Sequence, residues 1–227
     1  MKARFAKLKA RPDYVEEVYK ALLDAICAGT LAPGLRITQE EIADQFSVSR
    51  SPVLQAIRLL KNDGLLTDAP GRGILVAPLE PELIAHIYEI RSALDGLAAR
   101  LAAMRKKRID PILIANGRKA AMGHGVKDLI NSDVAFHSAI YQASGNPLIA
   151  QTARLHWVHL RRVMGAVLQS SGQRESIWDE HEEIAAAIAQ GDADLAEELA
   201  ELHAHRASEH LLRRLNEVLA EEADAYF

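Results

Sequence analysis

Apolar residues recur at helical spacing through most of this chain, and glycine and proline divide them into helix-length runs. The spacing predicts an amphipathic helix from Tyr14 to Ala28, with Val15, Val18, Leu22, Ala25 and Ile26 inward, stopped at Gly29. Thr38 and Glu41 form a T-x-x-E capping box, so a second helix should start there with Ile42, Ala43 and Phe46 on its apolar face. Ser47-Val48 reads as a tight turn with Val48 buried at the elbow, and Ser49 is placed to cap a third helix. Pro52 falls in the first turn of that helix, where its missing N–H does little harm. Val53, Ala56, Ile57 and Leu60 give it a core face, and Asp63-Gly64 ends it. Leu65-Leu66-Thr67 and Ile74-Leu75-Val76 are short strand runs around a Pro70-Gly71-Arg72-Gly73 turn. Helix, turn, helix and glycine-bounded hairpin together read as a winged helix-turn-helix, a shape that holds double-stranded DNA.

Beyond Ala77 the pattern changes. Pro78 and Pro81 bracket a break, and everything after it reads as helix. The segments are roughly 81–105, 110–122, 126–144, 147–170, 175–190 and 192–222, with breaks such as Gly145-Asn146-Pro147 and Ser170-Ser171-Gly172 between them. In the first segment Ile87, Ile90, Leu94, Leu97 and Leu101 form an apolar stripe with Arg91 at its edge. The fold class expected is mostly α. A winged helix-turn-helix domain over 1–77 and a linker over 78–81 lead into a helical bundle over 82–227, six helices by direct count.

Composition refines this picture. Apolar residues make up 49% of the 227 and aromatics only 5%, which favours closely packed helices. No apolar run reaches the roughly 18 residues of a membrane span, and the basic N-terminus lacks the apolar core of a signal peptide. The lone Cys27 excludes an internal disulfide and fits a reducing cytosol, so a cytoplasmic protein with no membrane partner is expected. The net charge of −4 is unevenly spread: residues 1–78 hold 11 Lys and Arg against 9 acids, and the remainder holds 16 against 22. A mildly basic module joined to an acidic body suits local DNA contact. Lys2, Arg4, Lys7, Lys9 and Arg11 form either a solvated tail or an arm that touches phosphate.

The candidate chemistry lies in the helical part. Asp133 and His137 stand four apart in one predicted helix, roughly 6 Å along its axis and on one face. His181 and His203 occupy two other helices, beside Ile177, Ile184 and Ile188 in one and Leu195, Leu199 and Leu202 in the other. Three imidazoles and a carboxylate would suit Zn²⁺, Ni²⁺ or Mn²⁺ with positions left for a ligand. Ordinary polar residues at helix margins would give the same pattern, and nine histidines make chance pairs easy. Arg91 has two readings as well: a structural partner of Asp95, or a fork that grips a carboxylate.

The two halves together resemble the GntR family of bacterial transcription regulators, in its FadR-like group with an FCD C-terminal domain. The resemblance covers about residues 12–215. It rests on G-T-L-A-P-G-L-R-I, F-S-V-S-R-S-P-V, D-G-L-L and the G-R-G wing in the first half, then Y-E-I-R-S-A-L-D-G-L-A-A-R, D-V-A-F-H, S-G-N-P-L and E-H-E-E-I in the second.

It implies a homodimeric, allosteric DNA-binding regulator, a repressor by expectation, with a six- or seven-helix FCD bundle around a small-molecule pocket. The metal-binding branch of the group uses one aspartate and three histidines, matched here by Asp133, His137, His181 and His203. Zinc is the expected ion, nickel or manganese the alternatives, and a small carboxylate the expected effector, with Arg91 as its candidate contact. On the DNA side the resemblance points to Ser49, Arg50, Ser51, Gln55, Arg58, Arg72 and Gly73. Here P-V-L-Q-A replaces the family's common P-V-R-E-A, so Leu54 and Gln55 stand where Arg and Glu are usual. That departure puts the usual operator sequence in doubt. A leucine on the recognition face could instead touch a thymine methyl. A metal-free acyl-CoA sensor and, further off, a metal-dependent hydrolase are the alternatives.

Overall fold

The computed structural model describes residues 13–123, 125–168 and 176–224. The basic N-terminal arm and the Ser170-Ser171-Gly172 break lie outside them. The chain divides into two compact units, one from residues up to Ile26 with Leu31–Ala77, the other from Cys27–Thr30 with Pro78 onward.

In the first unit the elements run α1 (Tyr14–Cys27), β1 (Arg36–Ile37), α2 (Gln39–Phe46), α3 (Arg50–Asn62), β2 (Leu66–Asp68) and β3 (Ile74–Val76). The capping box forms: the Thr38 hydroxyl accepts from the Glu41 N–H, and the Glu41 carboxylate accepts from the Thr38 N–H at 2.8 Å. Ser47 closes α2 in the left-handed region, and Ser49 occupies the N-cap of α3. Its side chain, however, makes no capping bond. Val53, Ala56, Ile57 and Leu60 are buried, as their spacing predicts. Phe46 and Val48 are not: Phe46 is exposed and Val48 half-buried, because α2 is only two turns long and its buried face stops at Ile42 and Ala43. The three strands pair antiparallel in the order β1-β3-β2, with Ile37 opposite Ile74 and Leu66 opposite Val76. At two residues, β1 is too short to show alternation in sequence. Gly73, at the base of the wing, has φ +102°, and a Cβ there would stand 3.0 Å from Arg36 Nε and 3.2 Å from the Ile37 carbonyl. Both the backbone and the space demand glycine.

In the second unit the described residues form α4 (Pro81–Met104), α5 (Pro111–Met122), α6 (Val126–Ala143), α7 (Pro147–Val167), α8 (Ser176–Gln190) and α9 (Ala193–Asp224). Proline opens α4, α5 and α7 at the first helical position. Asp110 and Asn146 cap the latter two, accepting from the N–H of Ile112 and Leu148. α4 and α9 share the most extensive helix–helix contact described. Alanines dominate their buried faces: Ala98, Ala99, Ala102 and Ala103 on α4, Ala196, Ala200 and Ala204 on α9. Gly96 of α4 lies directly against the Glu201 side chain of α9.

This seam corrects the apolar stripe expected on α4. Ile90 and Leu97 are 50% and 40% exposed, whereas Arg91 and Asp95 are buried. Likewise Leu195 and Leu202, expected to lie inward beside His203, are exposed, while His203 itself is 4% exposed. Small side chains let two helix backbones approach closely, and the larger residues are displaced to the neighbouring face.

Candidate functional site

Four helices meet at the centre of the bundle. α6 contributes Asp133 and His137, α8 contributes Glu180 and His181, α9 contributes His203, and α4 contributes Arg91 and Asp95. His137, His181 and His203 are buried, and one nitrogen from each imidazole lies within 4.8 Å of the others. His181 Nε2 stands 3.2 Å from His203 Nε2. Asp133 Oδ1 lies 3.5 Å from His181 Nε2 and 3.7 Å from His137 Nε2. The sequence-predicted quartet is therefore brought together in space.

Two of the three imidazoles are oriented from behind. A guanidinium can only donate, so Arg91 Nη2, 2.8 Å from His137 Nε2, finds a lone pair there. The His137 proton then sits on Nδ1, facing Asp95 Oδ2 at 3.4 Å. His203 Nδ1 pairs with Glu180 Oε2 at 2.8 Å, which leaves its Nε2 lone pair toward the cluster. Phe136 stacks on His181 at 4.1 Å between ring centroids, and Trp178 meets the same ring edge-on at 4.6 Å. His181 Nδ1 is buried with no hydrogen-bond partner among the described residues.

Burial, reinforced by the Arg91 charge, pushes His137 well below the ordinary histidine range. Burial and then His203 do the same to His181. Burial raises the Asp133 carboxyl, against the pull of Arg91. For Glu180 burial works upward, but the bonds from His203 and Arg206 outweigh it and hold the carboxyl below its usual range. Arg91 is held firmly charged: burial opposes its charge and Asp95, at 3.0 Å, overcomes that. Its guanidinium also lies over the Trp157 ring at 4.4 Å. Tyr141 donates to the other Asp95 oxygen at 2.5 Å.

These residues fit a divalent ion. Ligand atoms about 2.1 Å from zinc stand about 3.4 Å apart along the edges of a tetrahedron, close to three of the separations here: 3.2 Å for His181–His203, 3.5 Å for Asp133–His181 and 3.7 Å for Asp133–His137. Two imidazoles held in the correct tautomer from behind are what such an ion requires. Beside the cluster opens a cavity of about 210 Å³, reached by Arg91, Asp133 and His203. Trp178 lines it too, backed by Gly117 of α5, where a Cβ would fall 2.0 Å from the indole ring.

Arg91 pairs with Asp95, as its structural reading expects, and also lines the cavity. Reading the sequence for ligands missed the supports: Glu180 stands among other acids beside His181, and Tyr141 carried no signal at all.

In the first unit, Ser49, Arg50, Ser51, Gln55 and Arg58 are exposed at or along α3, and Arg72 is exposed at the wing tip. Gly73 is half-buried beneath it. Arg50 pairs with Glu40 at 3.1 Å. Leu54 is half-buried rather than fully presented on the surface. Arg36, unremarked in the sequence reading, donates to the Pro70 carbonyl at 3.3 Å and adds a cation at the base of the wing.

Residues 14–76 match the family of bacterial regulatory proteins, gntR family, and residues 86–206 match the FCD domain. The chain is 28% identical over 220 residues to the Bacillus subtilis regulator YdhC, across 93% of this chain and 96% of that one. It is 29% identical over 190 residues to an HTH-type regulator of Streptomyces ambofaciens, across 79% and 77%. It is 26% identical to a probable D-xylose utilization operon transcriptional repressor of Paenarthrobacter nicotinovorans, across 85% and 86%. Among solved structures, E. coli McbR/YncC superposes with a TM-score of 0.77 at 20% identity, covering 88% of this chain and 98% of that one. A GntR regulator from Rhodococcus sp. RHA1 gives 0.72 at 24%, covering 87% and 97%. At those identities the structures speak to fold alone, but the matched sequences are transcription regulators rather than enzymes. The chain belongs to the GntR family of bacterial transcription regulators, with an FCD domain as its C-terminal part.

Proposed function

We propose that this regulator holds one divalent metal ion at Asp133, His137, His181 and His203 and binds a small carboxylate effector beside it. The observation that carries this reading is the convergence of three buried imidazoles on one point with Asp133 at their side. Zinc suits a nitrogen-rich set with an oxygen donor; nickel and manganese are the alternatives. The ion would supply an open coordination position for a carboxylate oxygen, and Arg91 a fork-shaped donor. The cavity of about 210 Å³ is below the ~300–1,000 Å³ of sites for drug-sized ligands. That size weighs against the acyl-CoA sensor, and the regulator relatives weigh against the hydrolase.

On this reading the protein is a repressor that releases its operator when the effector stabilises one arrangement of the bundle over another. Among the relatives, the Paenarthrobacter protein carries the name of a repressor. Ser49, Arg50, Ser51, Gln55, Arg58, Arg72 and Gly73 form the DNA-facing surface. A second copy of the chain is the partner that presents recognition helices about 34 Å apart. For its contact we assign the α4 ridge of Leu83, Ile90, Leu97 and Met104, exposed and spaced seven residues apart, a repeat that suits a self-complementary helix seam. Light scattering tests this: Ile90→Glu with Leu97→Glu should give monomers, and a persisting dimer would remove the ridge from the interface.

The central test is calorimetry with a panel of carboxylates on zinc-loaded and on chelated protein. Binding should require the metal. A carboxylate that binds equally well after chelation would refute the shared site.

A further inference from the structure

The cavity beside the imidazoles carries a charge balance that restricts what can enter it. Two cations bear on it, Arg91 and Arg206. Three carboxylates accompany them: Asp133 in the wall, Asp95 on Arg91 at 3.0 Å, and Glu180 on Arg206 at 3.0 Å. Neither arginine is therefore an unopposed positive charge. Of the other basic groups described in the wall, His203 pairs with Glu180 at 2.8 Å and His210 accepts a bond from Arg213 at 3.1 Å. Burial, with Arg213 and Arg214 nearby, lowers the affinity of His210 for a proton. Counting the arginines and carboxylates of the described residues alone, the cavity carries one excess negative charge, and a divalent ion would turn it into one excess positive charge.

Besides Tyr88 and Ser176, whose hydroxyls are polar, the rest of the described wall is apolar. Leu129, Met164, Leu168, Ile177, Trp178 and Leu211 form it. A second carboxylate lodged against these residues would lose its hydration, and among the described residues the wall's arginines already face carboxylates, which makes that costly. An apolar group in the same place would gain by leaving water.

We infer that the effector is a monocarboxylate with an apolar, branched or aromatic body, its single carboxylate at the metal side and its body against Leu129, Met164, Ile177 and Trp178. This rests on the metal and carboxylate reading above and narrows it from small acids in general to one charge type. Dicarboxylates and polyhydroxy acids are disfavoured by the apolar part of the wall rather than by the carboxylate end.

The experiment is titration calorimetry on the zinc-loaded full chain with 3-methylbutanoate and phenylacetate against glutarate and tartrate. The apolar acids should bind about tenfold tighter or better. Met164→Lys, at a half-buried wall position, places a cation opposite the carboxylate end and should shift preference toward glutarate, with circular dichroism confirming an intact fold. Glutarate or tartrate binding as well as the apolar acids in the unaltered protein overturns this inference and leaves the carboxylate reading standing. If no acid binds, or binding ignores chelation, the underlying reading falls and this one with it.

Discussion

Arg91 Nη2 lies 2.8 Å from His137 Nε2, so a buried guanidinium rests on the lone pair that a metal ion would use. Its other anchor is Asp95, likewise buried. Removing one member of a buried ion pair costs about 3–5 kcal/mol because the other is left uncompensated. Arg91→Ala should therefore lower unfolding stability by about that amount, and adding Asp95→Asn should recover part of it. Urea denaturation reads both. An Arg91→Ala protein as stable as the parent would mean that Asp95 is already compensated by Tyr141 and His137.

Metal content tests the quartet directly. His137→Ala and His181→Ala should each reduce bound metal severalfold by elemental analysis. His205→Ala should not, since His205 is exposed and pairs with Glu209 at 3.4 Å. Equal metal in all three variants removes the site.

On DNA, Arg50→Ala and Arg72→Ala should weaken operator binding without changing the melting of the helical bundle. Loss of one phosphate contact lowers the salt slope by about one unit, whereas loss of a base contact relaxes specificity at one position. Breaking the exposed Arg50–Glu40 pair should itself cost little. Unchanged affinity in both variants at moderate salt would reject this docking.

The two caps of the helix-turn-helix should differ. Thr38→Ala removes a made capping bond and should cost about 1 kcal/mol. Ser49→Ala removes none and should be close to neutral in denaturant melts. Similar losses at both positions would show that Ser49 caps in solution.

The local grammar of the chain was legible. Capping at Thr38, the core face of α3 and the proline-led helix starts depend on neighbours in sequence, and each appears where its residues predict. The failures in the helical bundle share one cause. A hydrophobic stripe ranks leucine above alanine, but α4 and α9 approach closely enough that alanine wins the interior, so Ile90, Leu97, Leu195 and Leu202 were misplaced. Neither Ile90 nor Leu97 could announce that Arg91 and Asp95 share the buried face, because that follows from the mate of a helix rather than from its own pattern. The i, i+4 spacing of Asp133 and His137 was readable, but their meeting with His181 and His203 depends on tertiary packing. Glu180, which orients His203, was hidden among equivalent acids.

Gly117 makes the same point from outside the quartet. It bears no charge, bonds to no imidazole and sits on a helix that contributes none of the four candidate ligands. Yet a single methyl there would collide with Trp178, and Trp178 sets one side of the His181 ring. The angle at which an imidazole presents its lone pair is thus governed by a hydrogen atom one layer away. A survey confined to polar side chains would pass over the position at which the smallest chemical change could tilt the coordination geometry.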